Sequence, residues 1–307
     1  MSLNYAETWQ KELLATIIQG TLCSPFISTN VKWLSAKTFH FTSLTTSGYK
    51  AHNRNGGWNR GTYSQEDVTF NLYHDRDIEF LVDKADVDET NKTASIQNIS
   101  QKFLELQASP ETDAEFFSKV SQVALAEELF VVHAESAWTP ETVLGLIKDA
   151  MKAGKLRTYR QRGSLIGYVS SHVMDCLERS KDFTRNIEMT TIADGGIGIE
   201  TRVTNVDNVI LFEVVDDERF YTHFNFADGF VPVVGTGSAK INLLFASTEM
   251  VRNVPKINSI YFFEPGTHTQ GDGYLYQNRA FSGTFVFPNG KDNAIDSVFV
   301  DIQTAIV

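Results

Sequence analysis

Cysteine is scarce: Cys23 and Cys176 are the only two in 307 residues, and they share no CxxC or Cys/His spacing. Neither a disulfide framework nor a zinc site is expected, and reduced thiols in a cytoplasmic setting are. Long apolar runs are missing too. The most apolar N-terminal piece, residues 13–23, follows Glu7 and Glu12 and is too short and broken for a signal peptide or a membrane span. Basic residues are the minority, 27 Lys and Arg against 38 Asp and Glu, which leaves a net charge of −11. Phosphate binding needs clustered cations, so a protein whose whole surface grips nucleic acid is argued against. Internal repeats and low-complexity tracts are absent as well.

The signatures of chemistry are equally thin. Residues 235–240, Gly-Thr-Gly-Ser-Ala-Lys, lack the GxxxxGK[ST] spacing and precede a strand-like stretch where a phosphate loop needs a helix. Seven histidines, at positions 40, 52, 74, 133, 172, 223 and 268, form no HExxH motif and no i, i+4 pair. His74, Asp75 and Asp77 are the densest cluster, but adjacent residues of a strand point to opposite faces. There is no GxSxG elbow, and Ser170 or Ser171 is better read as a helix cap than as a nucleophile beside His172. Asp216, Asp217 and Glu218 follow a strand and read as a turn. No catalytic residue, metal ligand or cofactor site is expected, and no enzyme.

What is present is an ordinary globular composition, 42% hydrophobic and 21% charged, in a chain long enough for about two domains. Residues 9–20 carry Trp9, Leu13, Leu14, Ile17 and Ile18 at helical spacing. Residues 38–44, 68–72 and 78–82 alternate as strands. Ile96, Ile99, Phe103 and Leu106 mark a helical face, and Ser109-Pro110-Glu111 restarts a second helical run through Phe117, Val120 and Ala124, interrupted or kinked at Pro110. Thr139-Pro140-Glu141 caps a helix through Val143, Ile147 and Met151 that Gly154 closes. A buried strand at residues 165–169 feeds a helix running to about Arg179. Strands are expected at 197–199, 209–215, 241–245, 257–263, 274–287 and 298–302. The class is mixed α+β.

One segment stands apart. Residues 45–64 are polar and glycine-rich, with Lys50, Arg54 and Arg60, and exceed the ~2–5 residues of an ordinary hairpin turn. Such a stretch cannot build a core and reads as an extended arm for binding.

The order of segments resembles the major capsid proteins of tailed siphophages of Gram-positive hosts, which have the Hong Kong 97 fold. The likeness runs through Thr45-Thr46-Ser47-Gly48-Tyr49, Asn53-Arg54-Asn55-Gly56-Gly57, Val68-Thr69-Phe70-Asn71-Leu72 and residues 75–83. It continues through Ser109-Pro110-Glu111-Thr112-Asp113-Ala114, its most specific stretch, then residues 165–170, Tyr261-Phe262-Phe263-Glu264-Pro265 and residues 272–279.

The resemblance implies a head protein that self-assembles into hexamers and pentamers of an icosahedral shell enclosing double-stranded DNA. It implies an N-terminal arm at 1–30, an extension-loop β-hairpin with the first peripheral strands at 31–85, and the spine helix of a peripheral domain at 86–126. An axial domain follows at 127–255, and return strands at 256–307. Lys50, Arg54, Trp58, Arg60 and Tyr63 would make inter-subunit contacts, with Asp83, Asp86, Asp88 and Glu89 of an adjacent subunit as acidic partners. Implied partners are other copies, a portal protein, a separate scaffolding or decoration protein, and packaged DNA bound without sequence specificity. No membrane is implied. The place would be the virion capsid, assembled in host cytoplasm, and with no cross-linking Lys and Asn pair identified, assembly is expected to be non-covalent. Two other readings keep part of this logic: an encapsulin-like compartment shell, and a β-rich binding module motivated by Trp58, Tyr63, Tyr274 and Tyr276.

Overall fold

The computed structural model describes residues 21–28, 32–35, 37–52, 58–84, 96–181, 188–191, 200–215, 217–233, 235, 237–269, 271–288 and 294–304. The amphipathic stretch at 9–20 and the strand expected at 197–199 lie outside them. A single 3-10 turn, Ser24–Phe26, precedes β1 (Lys32–Trp33), β2 (Thr38–Thr46), β3 (Tyr63–Asn71) and β4 (His74–Asp83). Then come α1 (Ile96–Phe103), a π-helical turn at Leu104–Ala108, α2 (Ser109–Ala126), β5 (Phe130–Val132), α3 (Val143–Ala150), α4 (Leu156–Arg162), β6 (Leu165–Ser170) and α5 (Ser171–Arg179). After β7 (Glu188–Thr191), β8 (Glu200–Val206) and β9 (Val209–Val214) the described chain is almost all strand. These are β10 (Phe224–Asn225), β11 (Val231–Pro232), β12 (Ile241–Ser247), β13 (Val251–Asn253), β14 (Lys256–Phe263), β15 (Gly273–Ser282), β16 (Thr284–Val286) and β17 (Val298–Ile302).

The main core surrounds a seven-stranded mixed sheet in the order β5-β17-β12-β6-β9-β8-β7. Every residue of β6, β12 and β17 is buried, as expected where a sheet is covered on both faces and its strands are near-continuous apolar runs. Ile166, Tyr168, Phe212, Leu244 and Val300 pack against Phe116, Phe117, Val120 and Ala124 of α2, together with Leu22, Cys23 and Phe26. On the opposite face Leu165, Val169, Leu211, Leu243 and Phe245 meet Trp138, Val143, Ile147, Met174 and Leu177 from α3, α5 and the turn before α3. Gly167 sits at the middle of that second face. A Cβ there would lie 2.4 Å from Leu211 Cδ2 and 2.6 Å from Phe245 Cε1, so large neighbours on both flanking strands fill the space a side chain would take.

A smaller antiparallel sheet, β14-β15-β4, packs Val82, Ile260 and Tyr276 against Leu104, with Phe80, Ile99 and Phe103 around them. The helical run from α1 to α2 therefore serves two cores, its first half on the small sheet and its second on the large one. Pro110 does not break this run. Ala108 and Ser109 keep helical backbone angles, and the Ser109 N–H bonds to Leu104 O five residues back. Proline has no N–H and its ring crowds the carbonyl four residues earlier; the wider π turn just before it absorbs both.

Two other boundaries differ from expectation. The helix anticipated from Thr139 begins at Val143, because residues 139–142 form a turn in which Thr139 O accepts from Thr142 N (3.1 Å) and Val143 N (2.9 Å). The single strand anticipated at 274–287 is split at Gly283: β15 pairs with β14 and β4, whereas β16 pairs with β13. Ser170 does cap α5, its hydroxyl accepting from Val173 N. Among the described residues no helix is long and apolar enough to cross a membrane.

Gly167→Ala is expected to destabilise the fold by ~1–3 kcal/mol, the usual cost of overpacking a filled core. Urea denaturation with a lower midpoint and an unchanged slope checks it, and an unchanged midpoint would contradict the packing described here.

Candidate functional site: a projecting hairpin and its anchors

β2 and β3 pair in register from Thr38 with Asn71 to Thr46 with Tyr63. Nine paired positions at ~3.4 Å each give an arm about 30 Å long. Beyond the ladder the tip holds itself together with few bonds. Ser47 N donates to Thr62 O (2.8 Å), and Thr62 N to Ser47 Oγ (2.9 Å). Asn59 Nδ2 reaches Ala51 O (2.8 Å), and Lys50 Nζ reaches Arg60 O at 3.4 Å. Tyr49, Trp58 and Tyr63 are 109%, 95% and 78% exposed. Three aromatic rings almost wholly in water are an unusual outcome for side chains that ordinarily bury most of their surface.

The base of the arm is built in the opposite way. Phe39, Phe70, Phe285 and Phe287 pack mostly edge to face, with ring centroids 5.2 to 5.7 Å apart, over a core of Leu72, Val254 and Phe281. Asp75 on β4 ties this base to the small sheet. It accepts from Arg279 Nε (3.0 Å) and Nη2 (2.8 Å) and from Lys37 Nζ (2.5 Å). The Arg279 hydrogen bonds, with Lys37 beside them, hold the Asp75 carboxyl down at about 2.

Three carboxylates at alternate positions of α2 fix the remaining pieces. Glu111 meets His74 Nε2 at 2.9 Å and Arg76 Nε at 2.6 Å, both on β4. Asp113, fully buried, accepts from Leu22 N (3.1 Å) and Cys23 N (3.0 Å) and pairs with Arg219 Nη1 at 3.2 Å. Burial raises the Asp113 carboxyl above its ordinary range, with Arg219 pulling the other way. Glu115 accepts from Thr284 N (3.2 Å), Thr284 Oγ1 (2.6 Å), Asn253 Nδ2 (3.4 Å) and the Tyr73 hydroxyl. Burial first, and Glu115 second, push the Tyr73 hydroxyl far up, so it stays a proton donor.

Of the residues singled out by sequence, Lys50, Trp58, Arg60 and Tyr63 share the distal part of the arm. Arg54 lies outside the described residues. Asp83 is the exposed last residue of β4, paired with Gly273, whereas Asp86, Asp88 and Glu89 lie outside the described residues. His74 and Asp75 point apart as expected, to Glu111 and to Arg279 with Lys37 respectively. Sequence reading passed over Glu111, Asp113 and Glu115 as anchors. The one signal in the sequence was three acids interleaved with Ala114, Phe116 and Phe117; a carboxylate among apolar neighbours needs partners, but the local pattern does not name them.

No protein-family model matches this chain, and no curated protein does. Solved structures do. The bacteriophage PhiM1 mature capsid aligns with a TM-score of 0.55 at 12% identity, covering 94% of this chain and 88% of that one. A Mycobacterium phage Cain chain aligns at 0.53 and 12%, covering 94% and 91%. The capsid of cyanophage P-SCSP1u aligns at 0.51 and 10%, covering 90% and 85%. The mixed α+β fold is that of phage capsid chains over nearly its whole length.

Two outcomes test these anchors. The depressed Asp75 carboxyl contributes stability that is present above its unfolded value near 3.8 and is lost as pH falls toward 2. Carbon-detected NMR titration should therefore place its midpoint near 2, and Arg279→Ala should move it up toward the ordinary range. An Asp75 midpoint near 4 in the unaltered protein would refute the anchoring role. Glu115→Ala strands the buried donors of Thr284 and Asn253 and should lower unfolding stability by at least the ~1–3 kcal/mol of one unpaired buried group, measured by chemical denaturation.

Proposed function

We propose that this chain is a major capsid protein of a tailed phage, whose hairpin arm joins copies into hexamers and pentamers of an icosahedral shell around double-stranded DNA. The observation that carries the reading is the arm itself: about 30 Å of paired β2 and β3, joined by β1 only at its root and ending in exposed Tyr49, Trp58 and Tyr63, on a fold shared with phage capsid chains. A lone two-stranded ribbon is marginal in water. One that ends in aromatics and Lys50 and Arg60 gains its stabilising contacts on another surface, and aromatic and arginine side chains are the residues that dominate interface energies.

A shell subunit needs heterologous contacts that close into rings. In this reading residues 1–30 are the N-terminal arm and 31–85 the extension loop with its first peripheral strands. Residues 86–126 hold the spine helix, 127–255 the axial domain around the seven-stranded sheet, and 256–307 the return strands. Lys50, Arg54 and Arg60 of one copy meet Asp83, Asp86, Asp88 and Glu89 of the next, with Trp58 and Tyr63 buried at the contact. The net charge of −11 suits a container whose DNA slides without sequence-specific binding. A portal protein, and a separate scaffolding or decoration protein, complete the particle, which is assembled in host cytoplasm without covalent cross-links.

Negative-stain electron microscopy of the protein, expressed alone and with neighbouring genes, is expected to show closed shells or hexameric rings. Trp58→Ala combined with Arg60→Glu, both far from any core, should leave the circular dichroism unchanged and lower the assembled fraction about tenfold or more. A persistent monomer in both conditions, or full assembly of the double variant, would overturn the reading.

A further inference from the structure

His172 and Cys176 stand four residues apart on α5, a Cys/His spacing that the sequence reading passed over, and residues so spaced share one face of a helix. That face meets the carbonyl of Trp138, in the turn before α3. His172 Nε2 and Cys176 Sγ each lie 3.2 Å from Trp138 O, and 3.7 Å from one another. An imidazole nitrogen, a sulfur and a carbonyl oxygen thus converge on one point. The position equidistant from three atoms so spaced is about 2 Å from each, and moved slightly out of their plane it matches the ~2.3 Å of a zinc–sulfur bond and the ~2.0–2.1 Å of a zinc–nitrogen bond.

The surroundings favour an ion at that point. Trp138 is 2% exposed, its ring packed in the core with Val143 and Ile147, and Thr142 Oγ1 donates to Ala137 O at 2.7 Å, so the carbonyl is held in place beforehand. Behind His172, Glu135 Oε1 lies 3.9 Å from Nδ1. A carboxylate behind the far ring nitrogen is the usual support of a metal-bound histidine, because it fixes the tautomer that leaves the other nitrogen free to ligate. Cys176 is a free thiol, and the half-exposed His172 ring opens the site to solvent. Among the described residues no set of three or more His, Cys, Asp and Glu gathers to hold a metal, so the third protein donor here is the backbone carbonyl and the remaining coordination falls to water. Imidazole with thiolate selects borderline-soft ions over magnesium or calcium. We propose that Trp138 O, His172 Nε2 and Cys176 Sγ bind a divalent thiophilic cation of the zinc class, which ties the turn before α3 to α5. Desolvation raises the Cys176 thiol above its ordinary value; the proton leaves when the cation takes its place, and binding strengthens as pH rises. This goes beyond the shell reading and does not depend on it.

The test titrates the reduced, metal-free full chain with Co2+, which adopts the tetrahedral geometry of zinc and, unlike zinc, absorbs light. A near-ultraviolet thiolate-to-cobalt charge-transfer band is expected, growing as pH rises and lost when Zn2+ displaces the cobalt. Cys176→Ser should remove the band. His172→Ala, at an exposed position whose loss leaves the circular dichroism unchanged, should weaken cobalt binding about tenfold or more. No band from the folded chain in millimolar cobalt, a band that survives Cys176→Ser and so belongs to Cys23, or unchanged affinity in His172→Ala would each overturn the inference. None of these results bears on shell assembly, so the shell reading stands or falls separately.

Discussion

Two buried acids on one helix, Asp113 and Glu115, with the partly buried Glu111 beside them, are the constraint on which the described structure depends. Glu111, Asp113 and Glu115 project from α2 in different directions, and each is bonded to a different piece: β4, the segment at 22–23, and the corner formed by Tyr73, Asn253 and Thr284. Taking a carboxylate out of water costs several kcal/mol unless partners replace the lost hydration. Each acid therefore specifies its partners more sharply than apolar packing would, because a displaced partner leaves a charge or a donor unsatisfied in the interior. The helical run of α1, the π turn and α2 also joins both cores, its first half on the small sheet and α2 on the large one. Fixing it fixes the angle between the large and small sheets, and with them the direction in which the hairpin leaves.

Rigidity at the base and exposure at the tip follow from this arrangement. The ring cluster of Phe39, Phe70, Phe285 and Phe287 adjoins the corner that Glu115 holds, and Asp75 binds both Lys37 and Arg279 beside it. An arm of this length without a core would sample many directions if its root were soft. With the root held by aromatic packing and a charge cluster, the entropy of placing the tip is largely spent on folding and not on association, which favours binding by a preorganised arm. The continuous helix across Pro110 has the same effect, since a break there would uncouple the two sheets.

The sequence alone determined the mixed class, the buried strands at 165–169, 241–245 and 298–302, the Ser170 cap and the existence of the arm. These are local: apolar runs, capping hydroxyls and glycine-rich polar stretches report on their own few residues. It also held the order of segments that resembles phage capsid proteins, and the solved structures agree on the fold. Tertiary structure decided what depends on distant partners. Pro110 reads as a break until the π turn at Leu104–Ala108 is seen, because only packing on two sheets at once holds the helix together there. The strand at 274–287 reads as one run until Gly283 is found pressed against Phe285. Glu111, Asp113 and Glu115 take their partners from distant parts of the chain: His74 from 37 residues away, Leu22 from 91 and Thr284 from 169. Whether a charge on a helix is solvated or structural is set by what the rest of the chain brings to it, and no local pattern encodes that.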